Sequence, residues 1–185
     1  MPRQPHHQDS VVPGQPLGVD DLPTRAPKPV ARVLTVSDRC SAGVRADRSG
    51  PLARELLNER FEVDRIVVVS DDLDAISCAI SDALDDGVRL IFTTGGTGIT
   101  PRDHTPEATL PFVQTRLEGI EHAIRERGPQ PFAAISRGIV GVSAQAAGAA
   151  VIVNAPGSTG GVKDACSVIV EVAPHLIDQL DGGDH

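Results

Sequence analysis

The chain has 185 residues, 40% of them hydrophobic and 23% charged, the balance of one globular domain rather than two. Seventeen Lys and Arg stand against 25 Asp and Glu, a net charge of −8, and aromatics are 2% with neither Trp nor Tyr. That composition argues against nucleic-acid binding, which needs a broad basic surface and stacking rings. No CxxC pair occurs among Cys40, Cys78 and Cys166, so neither a zinc finger nor a disulfide framework is supported. No apolar run reaches the roughly 18 residues of a membrane span. The N-terminus lacks a charged-then-apolar signal pattern, so the expected location is cytoplasmic. The two lysines, Lys28 and Lys163, do not follow a glycine, which excludes a Walker loop.

Residues 1–29 carry seven prolines and no apolar periodicity. They read as a disordered, proline-rich tail preceding a domain at 30–185. Val30 to Val36 reads as a strand, and 37–48 as a polar loop. Leu52, Leu56 and Leu57 then recur at helical spacing, with Ser49 or Gly50 expected as the cap and Pro51 in the first turn. Val63 to Val69 is a second strand. Asp71-Asp72-Leu73-Asp74 suits a helix start, and the stripe through Ile76, Ile80 and Leu84 ends at Gly87. Val88 to Thr94 is a third strand, apolar enough to be buried on both faces. A Gly-rich loop leads to a short helix at Thr105-Pro106-Glu107, with Thr105 as N-cap and Pro106 at N1. Residues 120–127 read as helix, 136–143 and 149–154 as strands, with Ser136-Arg137 opening the first of these. A final helical stripe from Val162 to Leu180 contains Pro174, which predicts a kink. The alternation implies a three-layer α/β fold with a mostly parallel sheet flanked by helices.

In such a sheet ligands bind at the carboxyl ends of the strands, so the loops that follow strands are the informative ones. Ser37-Asp38 and Asp47-Arg48-Ser49-Gly50-Pro51 follow the first strand. Gly95-Gly96-Thr97-Gly98 follows the third, and Asn154-Ala155-Pro156-Gly157-Ser158 follows the last. Three glycines in four positions let backbone N–H groups converge on a phosphate, although a tight strand-to-helix turn uses the same residues. Asp47 and Asp103 lie on the same expected edge, where two carboxylates beside a phosphate cradle suit Mg²⁺. Ser158 is placed to cap the last helix, and Arg137 to clamp a phosphate through its planar fork.

Together these loops resemble the molybdopterin adenylyltransferase family, the Mog and MoaB type to which the G domain of gephyrin is related. The resemblance rests on Thr35-Val36-Ser37-Asp38, Asp47-Arg48-Ser49-Gly50-Pro51, Gly95 through Glu107 (GGTGITPRDHTPE), Ser136-Arg137 and Asn154 through Ser158 (NAPGS), in that order. It covers about residues 31 to 180. Gly160-Gly161 departs from it, standing where relatives carry a larger residue and then Lys or Asn.

The resemblance implies a Mg²⁺- and ATP-dependent reaction in a homotrimer. The terminal phosphate of molybdopterin attacks the α-phosphorus of ATP, pyrophosphate leaves, and adenylylated molybdopterin passes to a molybdate-inserting partner protein. It implies Asp47 and Asp103 as the catalytic and metal-holding acids. Ser37, Asp38, Ser49, Gly50, the Gly95 to Gly98 loop, Thr105, Glu107, Ser136, Arg137 and the Pro156-Gly157-Ser158 turn are implied as contacts to pterin and nucleotide. A catalytically silent molybdopterin-binding carrier or scaffold is the alternative reading of the same loops.

Overall fold

The computed structural model describes residues 27–183. Its element order is β1 (Val30–Val36), α1 (Asp38–Ser41), α2 (Ser49–Leu57), β2 (Glu62–Val69), α3 (Leu73–Asp85), β3 (Leu90–Thr94) and α4 (Thr105–Thr109). There follow β4 (Thr115–Arg116), α5 (Glu118–Arg127), β5 (Val140–Val142), β6 (Val151–Ala155) and α6 (Thr159–Leu180), with single 3₁₀ turns at Leu110–Phe112 and Phe132–Ile135. One six-stranded sheet runs in the order β2-β1-β3-β6-β5-β4. β2, β1, β3 and β6 are parallel, and β5 and β4 close one edge antiparallel. The expected mostly parallel, helix-flanked sheet is what forms.

The side-chain period of two splits each central strand between two cores. Ala31, Val33, Leu90, Phe92, Val151 and Val153 pack against α2, α5 and α6. Leu34, Val36, Ile91 and Ile152 pack on the other face against α3 and α4. Every residue of β3 and β6 is buried, which explains why their sequences are continuous rather than alternating. The polar residues on those strands are satisfied: Asn154 Nδ2 donates to Thr93 Oγ1 at 3.1 Å and to Thr109 Oγ1 at 3.0 Å, tying α4 to the sheet. At the amino end of β1, buried Arg32 bridges Asp64 and Asp86. Glu121, 3% exposed, takes Arg116 in a bidentate pair and the Val140 N–H, so α5 is locked to the β4–β5 edge.

Several sequence expectations shift. The 37–48 segment is not all loop, because Ser37 Oγ accepts from the Cys40 N–H and caps the short α1. Neither Ser49 nor Gly50 caps α2. Both are helical, and the acceptor is the carboxylate of Asp47, two residues before the helix begins. Thr105 is not an N-cap but the first residue of α4, its hydroxyl donating instead to the Gly95 carbonyl at 2.8 Å. The strand expected at 136–143 contracts to Val140–Val142. Ser136 and Arg137 lie in the segment before it, where the Arg137 N–H bonds the Thr97 carbonyl outside the sheet ladder. The two-residue β4 carries no sequence signal of its own. Gly87, with φ 72°, ends α3 as expected. The helix across Pro174 continues from Thr159 to Leu180.

Of the tail expected at 1–29, residues 1–26 lie outside the described residues. Pro29 is already fixed by the sheet, its carbonyl accepting from the Glu62 N–H at 3.0 Å. Among the described residues no helix is long and apolar enough to cross a membrane. Cys166 is buried in the α6 core, which pushes its thiol up to about 12 and leaves it unreactive at neutral pH.

Phe92 is fully buried at the centre of the sheet against the larger core. Phe92→Ala is expected to cost about 3–5 kcal/mol, read as a lowered urea midpoint with an unchanged slope.

Candidate functional site

β1 pairs with β2 on one side and β3 on the other, so the connections leaving β1 and β3 depart to opposite faces of the sheet. A crevice at the carboxyl ends is the geometric result. It holds a cavity of about 550 Å³ lined from β1 by Thr35, Ser37 and Asp38, from the α2 approach by Asp47 and Ser49, and from β3 by Thr94, Gly95 and Gly96. Asp71, Asp103, Gly157 and Ser158 complete its walls.

The glycines in that wall are needed by close approach. Gly95 (φ 107°) and Gly96 (φ 62°) both turn through the left-handed region. A methyl group on Gly95 would collide with the Val36 carbonyl, and one on Gly157 would lie 3.1 Å from the Gly95 Cα. The β3 and β6 loops therefore touch backbone to backbone. Thr94 Oγ1 donates to the Pro156 carbonyl at 3.0 Å and closes the same seam. Gly161, one of the departures from the family pattern, sits where a side chain would meet Pro156 Cβ at 2.6 Å.

Asp47 is fixed from four directions. Its Oδ1 accepts from the Ser49 N–H, the Ser49 hydroxyl and the Gly50 N–H, each at 3.0 Å, and its Oδ2 accepts from Thr35 Oγ1 at 2.8 Å. Gly50 is glycine because a Cβ there would strike Thr35 Oγ1 at 2.6 Å and Ile66 Cγ2 at 2.8 Å. Asp103 Oδ2 accepts from the Thr100 N–H at 2.8 Å. Burial pushes the Asp103 carboxyl up. Hydrogen bonds from Thr100 and Gly98, with the Arg137 charge, outweigh it and hold the group below the usual carboxylate range.

From its sequence, Asp71 reads only as part of a helix start. In the structure it lines the cavity, and it exchanges hydrogen bonds with Asp38. The Asp38 N–H donates to Asp71 Oδ2 at 2.8 Å and the Asp71 N–H to Asp38 Oδ1 at 2.9 Å. Burial, and then the charge of Asp103, push Asp71 up against the pull of Arg39 and His104. The signal was available: Asp71 follows β2 by two residues, on the same edge as the other loops.

A second cavity of about 350 Å³ adjoins the first and shares Ser158 with it. It is lined by Thr97, Gly98, Ser136 and Pro156 together with Ile124, Phe132 and Ile135, so it offers an apolar wall to a ring. Ser158 Oγ caps α6 through the Gly161 N–H at 3.0 Å, which sets the positive end of a 22-residue helix at the junction.

The remaining expected contacts lie behind these walls. Gly50 and Thr105 are buried, the latter completely. Arg137 faces neither cavity. Its Nε donates to the Gly98 carbonyl at 2.6 Å, its Nη2 to the Asp103 carbonyl at 2.7 Å, and its Nη1 pairs with Glu107. The guanidinium thus staples both ends of the Gly98–Asp103 loop to α4. The Arg137 bond in turn holds Glu107 low.

Residues 32–176 match the family described as "Probable molybdopterin binding domain". The chain belongs to this family. It is 36% identical over 150 residues to the molybdenum cofactor synthesis protein cinnamon of Drosophila melanogaster, a match covering 78% of this chain and 24% of that protein. It therefore spans only about a quarter of that relative. The molybdopterin adenylyltransferase of Pyrococcus furiosus is 32% identical over 160 or so residues (164), covering 87% of this chain and 97% of the relative. A molybdopterin biosynthesis protein from Mycobacterium abscessus superposes with a TM-score of 0.76 at 42% identity, covering 82% of this chain and 96% of that one. The family thus accounts for the described domain and leaves the N-terminal segment outside it.

Because Asp103 and Glu107 are held below their ordinary values, their contribution to stability is present above about pH 4 and is lost as pH falls through the folded-state values. Glu107 is nearly half exposed, so solvent screening keeps its share small. Arg137→Met is expected to flatten the acid limb of a thermal-melting profile between pH 7 and 3. The same variant should speed amide exchange over residues 98–103.

Proposed function

We propose that the chain is a molybdopterin adenylyltransferase acting in molybdenum cofactor biosynthesis. The observation that carries this reading is the two-part crevice. A polar cavity walled by carboxylates, glycine turns and a helix N-terminus opens at Ser158 into an apolar one. A nucleotide joined to a pterin by a phosphate bridge has that same alternation of charged and flat apolar parts. The name of the Pyrococcus furiosus relative, which this chain matches almost end to end, supports the reaction.

In this reading the Gly95–Gly96 turn and the start of α6 hold the phosphates, and the wall formed by Ile124, Phe132 and Ile135 takes a ring. The terminal phosphate oxygen of molybdopterin attacks the α-phosphorus of ATP, and pyrophosphate departs. No side chain need act as a nucleophile. The protein's part is alignment and charge compensation.

The donor set is all oxygen, as Mg²⁺ prefers. Among the described residues no three acidic, His or Cys side chains gather closely enough to cage a cation unaided. A Mg²⁺ here would take most of its shell from phosphates and water, and it would supply neutralisation of charge at the transferring phosphate. Asp71, whose carboxyl is pushed up by burial and by the charge of Asp103, and Asp103 itself are the residues placed to hold it. Asp47 stands in the same wall, its oxygens already engaged by Thr35, Ser49 and Gly50. We assign it to shaping the α2 approach as well as to charge. The working form in this proposal is a cytoplasmic homotrimer that hands adenylylated molybdopterin to a molybdate-inserting partner.

The test is incubation with molybdopterin, ATP and Mg²⁺, read by mass spectrometry for adenylylated pterin and by pyrophosphate release. Asp103→Asn is expected to lower turnover on the order of 10²- to 10³-fold, with a small fall in melting temperature at neutral pH because the depressed carboxylate also contributes to stability. Asp47→Asn should lower both turnover and stability, because it also weakens the cap of α2. Pterin that binds but is never adenylylated, with no pyrophosphate released, would leave the carrier reading in its place.

A further inference from the structure

Most arginines among the described residues meet a carboxylate: Arg32, Arg89, Arg116 and Arg137 are each paired. Arg39, Arg45 and Arg48 have no acidic partner within ion-pair distance among the described residues, in a chain carrying 25 acids. All three line the first cavity, and all three are exposed on the segment that runs from α1 to α2. That segment turns at Gly43 (φ 71°), where a side chain would meet nothing within 4 Å, and returns to the sheet at Asp47, which Thr35 holds. The less exposed part of the wall carries Asp38, Asp71 and Asp103, of which Asp38 pairs with the exposed Arg102. Charge in this cavity is therefore layered, negative at the less exposed wall and positive at the lip.

Unpaired guanidiniums at a lip are expensive neither to hydrate nor to hold apart. Their placement matters for what they attract. Arg39 lies within α1, beside Asp38, whereas Arg45 and Arg48 stand on the connection toward α2, at its middle and at its end. We infer that Arg45 and Arg48 form the receiving site for the pyrophosphate moiety of a nucleoside triphosphate, the β- and γ-phosphates before the reaction and free pyrophosphate after it. This inference rests on the proposed placement of nucleotide phosphates in the first cavity.

With the transferring phosphate held at the acidic wall through the cation proposed there, the arginine lip attracts the rest of the polyanionic tail, so the tail points outward. In the transfer step a bond forms between the acceptor phosphate oxygen and the α-phosphorus. The bond from the α-phosphorus to the α–β bridging oxygen breaks, and its electron pair stays on that oxygen. No electron acceptor is required and no proton need move. The new negative charge appears on the pyrophosphate, within reach of two planar donors that compensate it better than two ammonium groups would. The same contacts make pyrophosphate a product inhibitor.

The experiment is isothermal titration of the full chain with inorganic pyrophosphate and, separately, with AMP. It uses the wild type, Arg45→Ala/Arg48→Ala and Arg45→Lys/Arg48→Lys. For two exposed charge contacts the alanine variant is expected to weaken pyrophosphate binding about tenfold. AMP affinity should move by less than about twofold, since AMP lacks the tail. The gap should shrink as salt rises from low ionic strength, and the lysine variant should fall between the other two. Unchanged pyrophosphate affinity in the alanine variant would overturn the inference, and so would an equal loss for AMP. Arginine-dependent pyrophosphate binding in a protein that makes no adenylylated pterin would refute the proposed reaction while upholding this site. Adenylylation with pyrophosphate binding indifferent to both arginines would do the reverse.

Discussion

β1 is paired on both sides by strands that reach it through opposite faces of the sheet, and nearly everything at the site follows from that arrangement. A strand flanked in this way cannot send its loop and its neighbour's loop to the same side. The gap between them is held open by topology, without any side chain having to prop it. What the side chains must then do is prevent the gap from widening. The backbone contact between Gly95 and Gly157 and the Thr94 hydrogen bond to Pro156 join β3 to β6 at one end. Thr105 and Arg137 anchor the loop between β3 and α4 at the other. The cavity is a consequence of strand order, and its precision is a consequence of glycines that no other residue can replace.

That division explains what was legible in the sequence. The strands and long helices follow from apolar periodicity, and the mostly parallel sheet follows from their alternation. The loops that line the crevice could be named because a strand-edge rule selects them before any geometry is known: Ser37, Asp47, Gly95 and Ser158 all follow strands. Asp71 was passed over because its neighbours, Asp72 and Asp74, gave it a sufficient local explanation as part of a helix start. Asp72 does cap α3, through the Ala75 N–H. Asp71, one residue earlier, points into the cavity instead. A local rule satisfied by one residue of a run says nothing about the next.

Thr105 and Arg137 each serve a contact that their local sequence does not announce. Each residue type has a familiar local or ligand-binding use, as helix cap or phosphate clamp, and each is spent here on a long-range contact. Thr105 reaches Gly95 across 10 positions, and Arg137 reaches Gly98 across 39. Sequence spacing carries no record of such contacts. The same holds for Ser49 and Gly50, whose helix is capped from Asp47 rather than from within the pair.

The carboxylates and arginines divide the cavity wall between two different kinds of constraint. Asp47 and Asp103 are bound by backbone N–H groups, so their positions are set when the chain folds and do not depend on a ligand. The Arg45 and Arg48 side chains have no ion pair among the described residues and lie exposed to solvent, although the Arg45 N–H is bonded to the Arg39 carbonyl and Arg48 opens α2. A hydrogen-bonded acidic wall and a solvent-exposed basic lip are suited to different parts of one task. The wall must be preorganised, because any reorganisation during transfer would add to the barrier. The lip must release a product, and a long flexible side chain in water gives a contact strong enough to orient a polyanion and weak enough to let it go. Locking the guanidiniums in buried ion pairs would remove them from the incoming tail, and so their exposure is part of how a site of this kind turns over.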